Sequence, residues 1–330
     1  MKNKPKNPVS QPATIGKFLV RFGTLIGICV VLLVLGIRSP NFFAVSNLFD
    51  VLKQGSTLTL IAVAQTVVLA AGGFDMSGGS LMQFTCNITA GMVIAGNDPF
   101  LAILACTLLG MVTGIVNSGI INLLRIPPFV ATLGTSLILN GLSLLYNGGV
   151  ALTFGYHPVL SVLGQGYLGP VPVIFIITVA ILAVVHVFMK HTRTGLRMYA
   201  AGGNPAAAEY KGISSKRCMF VAFFIAGIVL GLAGVLQAAY NYGASALSTG
   251  MDVLISALAA ALLGSTFSRT GELSVIGTAI SAMFIAALSN GLIINGVSNQ
   301  IINGTLGLIL IISVIPTVVY KREIGQVTIF

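Results

Sequence analysis

Residues 190–217 read KHTRTGLRMYAAGGNPAAAEYKGISSKR, the one long charged stretch inside an otherwise lipid-like chain. It holds six of the seventeen Lys+Arg, and apolar runs long enough to cross a bilayer flank it on both sides. Charge is expensive in hydrocarbon, and Lys/Arg accumulate on the cytoplasmic side, which puts this stretch in the cytosol. Its interior is rich in Gly and Ala (Gly195, Gly202, Gly203, Ala206, Ala207, Ala208, Gly212), leaving room for another protein to come close.

Working outward, the 330 residues are 56% hydrophobic and only 7% charged. A soluble domain carries about 25% charged residues, so the ordinary soluble class is excluded. The apolar runs are continuous, where a β-barrel shows alternating segments of about ten residues, so the fold class is all-α and polytopic. The net charge of +10 sits at segment ends rather than on one soluble face. That pattern sets topology and meets anionic lipid; nucleic acid is not an expected partner. Cys29, Cys86, Cys106 and Cys218 lie singly in apolar stretches and read as packing residues. The basic start lacks a small-residue cleavage site closely after its apolar run, so the first helix reads as retained.

About ten transmembrane helices are expected: 18–37, 54–71, 79–95, 100–123, 129–146, 171–189, 219–240, 253–267, 273–294 and 300–320. They divide the chain into a cytoplasmic tail (1–17), a membrane domain (18–320) and a second cytoplasmic tail (321–330). The third and eighth spans are short and Gly-flanked, so full crossing is open for both. With both termini inside, the inner segments hold fifteen basic residues and the outer ones two, Arg38 and Lys53. Gly110, Gly114 and Ser118, Gly227 and Gly231, and Gly277 and Ser281 have the spacing that lets helix backbones approach closely. Residues 147–170 read as a surface connector, and Val45, Leu48, Phe49 and Leu52 as a short interfacial helix before the second span.

Residues 72–80, GGFDMSGGS, interrupt the apolar pattern with four glycines and one carboxylate. Non-helical backbone at membrane depth is tolerated only against protein or a water-filled cavity. The following helix carries Ser80, Gln83, Asn87 and Gly91 on one face, a neutral hydrogen-bonding stripe suited to a polyhydroxyl solute. The other reading is a tight turn near the surface with Asp75 capping the helix. Gln65 on the second span, and Thr278, Ser281, Ser289 and Asn290 late in the chain, form further stripes that serve either a path or helix–helix hydrogen bonds. His157, His186 and His191 are isolated, so no metal site or nucleophile relay is expected, and no cofactor. No G-x-x-x-x-G-K-[ST] motif occurs, and Asp75 is the lone acid well inside the apolar half before Lys190. Ion-coupled carriers place ionisable groups at mid-membrane, so the driving force is expected from another subunit.

Four blocks in order then carry a resemblance. GGFDMSGGS is similar to GGIDLSVGS, and LRIPPFVATLGT (124–135) to IPPFIATLGT. TRTGLRMYAAGGNPAAAEYKGI (192–213) is similar to TRFGRxIYAIGGNxxAAxxSGI. AALLGSTFSRTGELSVIGT with LSNGLIINGVS is similar to AVVLGGTSLxGGxGxxxGT with LxNGLxLxGVS. From about Asn41 onward the chain resembles permease subunits of bacterial ABC importers for monosaccharides, in the branched-chain-permease superfamily. The resemblance implies a type II importer-like fold in the bacterial inner membrane and no ATPase site of its own. It implies pairing with a second permease copy or paralogue, with ATP-binding subunits (two copies or a fused pair), and with an extracytoplasmic solute-binding protein.

The family's coupling helix maps by its Ala-Ala-x-x-x-Gly pattern onto Ala207, Ala208 and Gly212, with Gly202, Asn204 and Lys211 beside it. Asn204-Pro205 at the start and Gly212 at the end suit a self-capped docking element. The translocation path is expected at Gln65, Asp75, Ser77, Ser80, Gln83, Asn87 and Asn290. The chain departs from the family at residues 268–273, at Leu254 and Ser256 where an E-x-D pair is usual, and at Gly78 where an aliphatic residue is usual. A nucleoside or branched-chain amino-acid permease of the same superfamily, and more distantly an ion-coupled carrier, are the alternatives. A membrane enzyme is disfavoured for want of a catalytic constellation.

Overall fold

Helix α2 (Val45–Ala70) is buried at nearly every position from Gly55 onward, on all sides, which requires other helices around it. It is the most enclosed span: α7, α10, α11 and α12 all pack on it. The computed structural model describes residues 27–246, 250–268, 271–298 and 300–311. The helices are α1 (Gly27–Arg38), α2, α3 (Gly78–Ile94), α4 (Pro99–Leu124), α5 (Pro128–Asn147), α6 (Pro158–Gln165) and α7 (Val173–His191). They continue with α8 (Arg193–Gly203), α9 (Pro205–Tyr210), α10 (Ser215–Asn241), α11 (Met251–Ser265), α12 (Val275–Ile294) and α13 (Gln300–Ile311). Each of the ten expected spans has a helix counterpart, and six of these are long and apolar enough to cross a membrane. The tails at 1–17 and 321–330, and the outer parts of the first and last spans, lie outside the described residues.

The tightest crossing joins α4 to α10. A Cβ built on Gly110 would sit 2.1 Å from the Gly227 carbonyl oxygen, one on Gly114 2.1 Å from that of Phe223, and one on Gly231 2.4 Å from that of Cys106. These pairs step along an antiparallel contact, so the small-residue spacing places two backbones in direct van der Waals contact. Gly264 on α11 meets Gly277 and Thr278 on α12 in the same way. Thr66 and Thr278 share a 2.7 Å hydroxyl hydrogen bond that joins α2 to α12.

Two expectations require correction. The helix beginning at Val45 is no separate interfacial element but the first turns of α2, which runs on without a break. Lys53 in those turns is buried; its Nζ donates to Gln165 Oε1 at 3.0 Å and lies 4.5 Å from the Tyr167 ring centre. The supposed connector at 147–170 is a folded cap. It contains β1 (Leu152–Thr153), α6 and β2 (Tyr167–Leu168), and β3 (Val171–Pro172) follows it directly. Strand β1 pairs antiparallel with β4 (Gly243–Ala244), and β2 with β3. Leu160 and Phe154 are buried in a minor core with Cys86, Ala90, Ala238 and Ala239. Gln165 donates to the Tyr240 carbonyl at 2.6 Å, so the cap is fastened to the end of α10.

The crossing of α4 and α10 yields a matched test. Gly110→Ala forces a methyl into the Gly227 backbone, an overpacking cost of about 1–3 kcal/mol. Gly119→Ala on the same helix meets nothing within 4 Å and gains the better helix propensity of alanine. Thermal unfolding in detergent is expected to show a lowered midpoint for the first and an unchanged or raised one for the second.

Candidate functional site

The chain leaves the helix after α2 and re-enters it at α3, and the residues between carry the one carboxylate that the sequence singles out. Asp75 is buried, and its Oδ1 accepts from the Ser77 backbone N–H at 2.8 Å and the Ser77 hydroxyl at 2.6 Å. Asn117 Nδ2 on α4 donates to Ser77 Oγ at 2.9 Å, and Thr135 Oγ1 on α5 donates to Asn117 Oδ1 at 2.7 Å. The Met76 N–H donates to Thr132 Oγ1 at 2.9 Å. Asn117 and Thr135 each lie about two turns inside the ends of their helices, about 10 Å from the charged end of the bundle. The loop therefore climbs into the membrane domain, and α3 begins at depth. Asp75 organises a turn, as one reading of 72–80 expected, but the turn is buried rather than superficial, and Asp75 bonds Ser77 instead of capping the first turn of α3.

The neutral stripe on α3 faces protein. Ser80 shares a 2.7 Å hydrogen bond with Ser136, and Asn87 Nδ2 donates to Ser143 Oγ. Together with Met76 to Thr132, these contacts keep one constant register, so α3 and α5 run parallel and are zipped by polar pairs. Such interhelical bonds contribute about 0.6–2 kcal/mol each in a membrane. Gln83 Nε2 reaches the Ser245 carbonyl at 3.5 Å, across to the non-helical backbone that follows α10. A Cβ on Gly79 would lie 2.1 Å from the carbonyl oxygen of Gly250, the residue that precedes α11. Helix α11 thus also starts at depth, and the N-termini of α3 and α11 meet.

Gln65 is fully buried beside Gly78, and neither of its amide atoms has a hydrogen-bond partner. Seven residues were expected to line a path. Gln65, Asp75, Ser77 and Ser80 gather at the α2–α3 break, while Gln83 and Asn87 lie further along α3; all six are buried within this one chain. Asn290 stands apart on α12, half-buried, with its Oδ1 unpartnered. Asn117, Thr135, Ser136 and Ser143 belong to the same polar cluster and escaped sequence reasoning. Their spacing on α4 and α5 is a weak signal that gains meaning only from the partners on α3.

The charged stretch forms a helical hairpin. Thr192 Oγ1 accepts from the Gly195 N–H at 3.1 Å and so opens α8. A Cβ on Gly195 would lie 2.4 Å from the carbonyl oxygens of Phe188 and Met189, which explains how α8 folds back on α7 so sharply. Asn204 Oδ1 caps α9 by accepting from the Ala207 N–H at 3.0 Å, with Pro205 at the first position. At the other end the Gly212 N–H bonds the Glu209 carbonyl and the Ile213 N–H bonds the Ala208 carbonyl, both at 2.9 Å. Gly212 has φ +76°, so this is a Schellman close that favours glycine.

The six residues expected to couple to a partner divide by side. Asn204, Ala207, Lys211 and Gly212 are exposed, beside Tyr210 at 95% exposure. Ala208 is buried, and Gly202 is half-buried against α2. The small residues at 195, 202 and 208 therefore serve close approach within the chain rather than leaving room for a partner. Tyr199 on α8 donates its hydroxyl to the Leu273 carbonyl at 2.9 Å. Burial, with the Glu272 carboxylate beside it, pushes this phenol up to about 12, so it remains a donor throughout the neutral range.

The family described as branched-chain amino acid transport system / permease component matches residues 47–314. The chain is 32% identical over 287 residues to the ribose import permease protein of Escherichia coli (strain K12), covering 86% of this chain and 88% of that protein. It is 32% identical to the ribose import permease protein of Bacillus subtilis (strain 168), covering 89% and 92%. It is 31% identical to the D-allose transport system permease protein of Escherichia coli (strain K12), covering 86% of each. With six membrane-length apolar helices and a match across most of its length, this chain belongs to the branched-chain amino acid transport system permease family.

Proposed function

We propose that the protein is the membrane-spanning subunit of an ABC importer in a bacterial inner membrane, carrying a small, neutral, polyhydroxylated solute of the monosaccharide class. The observation that carries this reading is a polar interior built almost wholly of neutral side chains. Hydroxyls and amides of α2, α3, α4, α5 and α12 populate it, in a chain whose relatives are named for ribose and D-allose. A zwitterionic amino acid needs a clamp for its carboxylate. Among the described residues the buried charged side chains are Lys53 and Asp75, and both are engaged, by Gln165 and Ser77.

The path residues act as hydrogen-bond donors and acceptors that exchange partners as the helices move, so Asp75, Ser77, Ser80, Gln83, Asn87, Gln65 and Asn290 are assigned to it. The exposed side of α9, with Asn204, Ala207, Lys211 and Gly212, docks on a separate ATP-binding subunit, which supplies ATP hydrolysis. The end of the bundle that carries the hairpin then lies in the cytosol, with both tails. The folded cap at the opposite end meets an extracytoplasmic solute-binding protein, and a second permease copy or paralogue completes the path. Lipid headgroups anchor Lys216 and Arg217.

Uptake of radiolabelled D-ribose, D-allose and leucine, in cells producing the full complex, tests the solute class. The sugars are expected to accumulate, and accumulation of leucine alone would reverse the assignment. Ala207→Arg changes an exposed position on the docking side. It is expected to lower uptake at least about tenfold, equivalent to 1.4 kcal/mol of lost binding, with an unchanged amount of subunit in the membrane. Coprecipitation of the ATP-binding subunit should fall in parallel. For Asp75, the acceptor role predicts a split between two variants. Asp75→Asn keeps an oxygen for Ser77 and retains stability, whereas Asp75→Leu strands two buried donors at about 1–3 kcal/mol each. A melting curve in detergent separates the two, and equal midpoints would count against the acceptor role.

A further inference from the structure

Three contacts single out α8 as more than a support for α9. First, Gly202, in the last turn of α8, touches the end of α2 backbone to backbone. A Cβ there would lie 2.2 Å from the Ala70 carbonyl oxygen and 2.8 Å from the Gly72 nitrogen. Gly72 has φ +81° and is the first hinge of the loop that carries Asp75. The next residue, Gly203, is exposed, and a Cβ on it meets nothing within 4 Å. Second, Tyr199 lies one turn earlier on α8, and its hydroxyl holds the Leu273 carbonyl, in the turn that joins α11 to α12. Third, the loop after Gly72 leads to Gly79, whose backbone meets Gly250 at the start of α11. Helix α8 therefore touches both structures that bound α11: the α2–α3 break at its beginning and the α11–α12 turn at its end.

We propose that Gly202 and Tyr199 are positioning residues that convert a displacement of the docking hairpin into a movement of α11, through the Gly202–Gly72 contact and the Tyr199–Leu273 hydrogen bond. This rests on the reading that α9 docks an ATP-binding subunit. Direct backbone contact transmits a shift without the slack of a rotamer change, because neither side has a side chain to rearrange. The two contacts lie one turn apart on α8 and lead to opposite ends of α11, one through residues 72–79 to Gly250 and the other at Leu273, so a tilt of α8 bears on both ends of that helix. Helix α11 is short and begins at depth beside α3, where a small movement changes what faces Gln83 and Gln65.

The test uses the full complex in proteoliposomes, with spin labels at Asp252→Cys on α11 and Leu123→Cys on α4. Cys29 is replaced because it is the exposed one of the four cysteines. The label-to-label distance is measured without nucleotide and after trapping with ATP and vanadate. Gly202→Ala and Gly203→Ala make the same chemical change on adjacent residues. The trapping shift is expected to persist in Gly203→Ala and to be lost in Gly202→Ala, with the ATP-binding subunit still coprecipitating and hydrolysing ATP. Tyr199→Phe, which removes one hydrogen bond and leaves the packing in place, is expected to reduce the shift, and it decides the matter if Gly202→Ala fails to fold. A shift of full size in Tyr199→Phe and Gly202→Ala, or in Tyr199→Phe alone when the glycine variant is unstable, would overturn the proposal. Coprecipitation reports on docking and the distance on transmission. Failure of the unaltered chain to bind the ATP-binding subunit therefore refutes the docking reading, and intact docking with an undiminished shift refutes this one.

Discussion

Backbone that leaves the helix inside a bilayer must find its hydrogen bonds in protein, since hydrocarbon offers none and each orphaned group costs several kcal/mol. The break between α2 and α3 meets that demand through Asp75, Ser77, Asn117, Thr132 and Thr135. The rest of the arrangement follows from it. Helix α3 starts at depth, and its stripe runs beside α5 in a parallel register. Gly250, at the start of α11, touches Gly79 in the first turn of α3. Glycine recurs at each of these places because two backbones occupy the space of one side chain.

Association of helices in lipid lacks a hydrophobic drive, so close packing and polar pairs must supply the specificity. The two are divided between different helix pairs here. Helices α4 and α10 meet through glycine and carbonyl, and α3 and α5 through hydroxyl and amide. Helix α2 passes through the middle, almost wholly enclosed, and adds the Thr66–Thr278 bond towards α12. Among the described residues the buried polar side chains are mostly Ser, Thr, Asn and Gln, and the buried carboxylate, Asp75, is held by Ser77 at the α2–α3 break.

Much of this was legible in the sequence wherever the signal was local. Continuous apolar runs located the helices, Gly110 and Gly114 with Gly227 and Gly231 marked the closest crossing, and Asn204-Pro205 with Gly212 marked a capped helix. What stayed hidden depended on distant partners. Residues 147–170 lack a period of 2 or 3.6 long enough to announce β1 or α6, and β1 exists because Gly243 and Ala244 lie opposite it. Lys53 looked like the end of a span because its partners, Gln165 and Tyr167, lie more than a hundred residues away. The stripe at Ser80, Gln83 and Asn87 was visible, but which surface it faced was not, because that is set by Ser136 and Ser143 on α5.

The same distinction bears on the charged stretch from which the sequence reading began. Its small residues fall on two sides of one hairpin with opposite tasks. Ala207 and Gly212 are exposed and leave a partner free to approach, while Gly202 and Ala208 face the bundle and bring α8 and α9 against it. A hairpin that was loose on its inner side would yield when a partner pushed on its outer side, and the displacement would be absorbed locally. With Gly202 against Ala70 and Gly72, and Tyr199 bonded to Leu273, the inner side has little room to yield. Under the proposed docking, small residues on the outer side would leave space for the partner, and small residues on the inner side would give the docked element something rigid to push against.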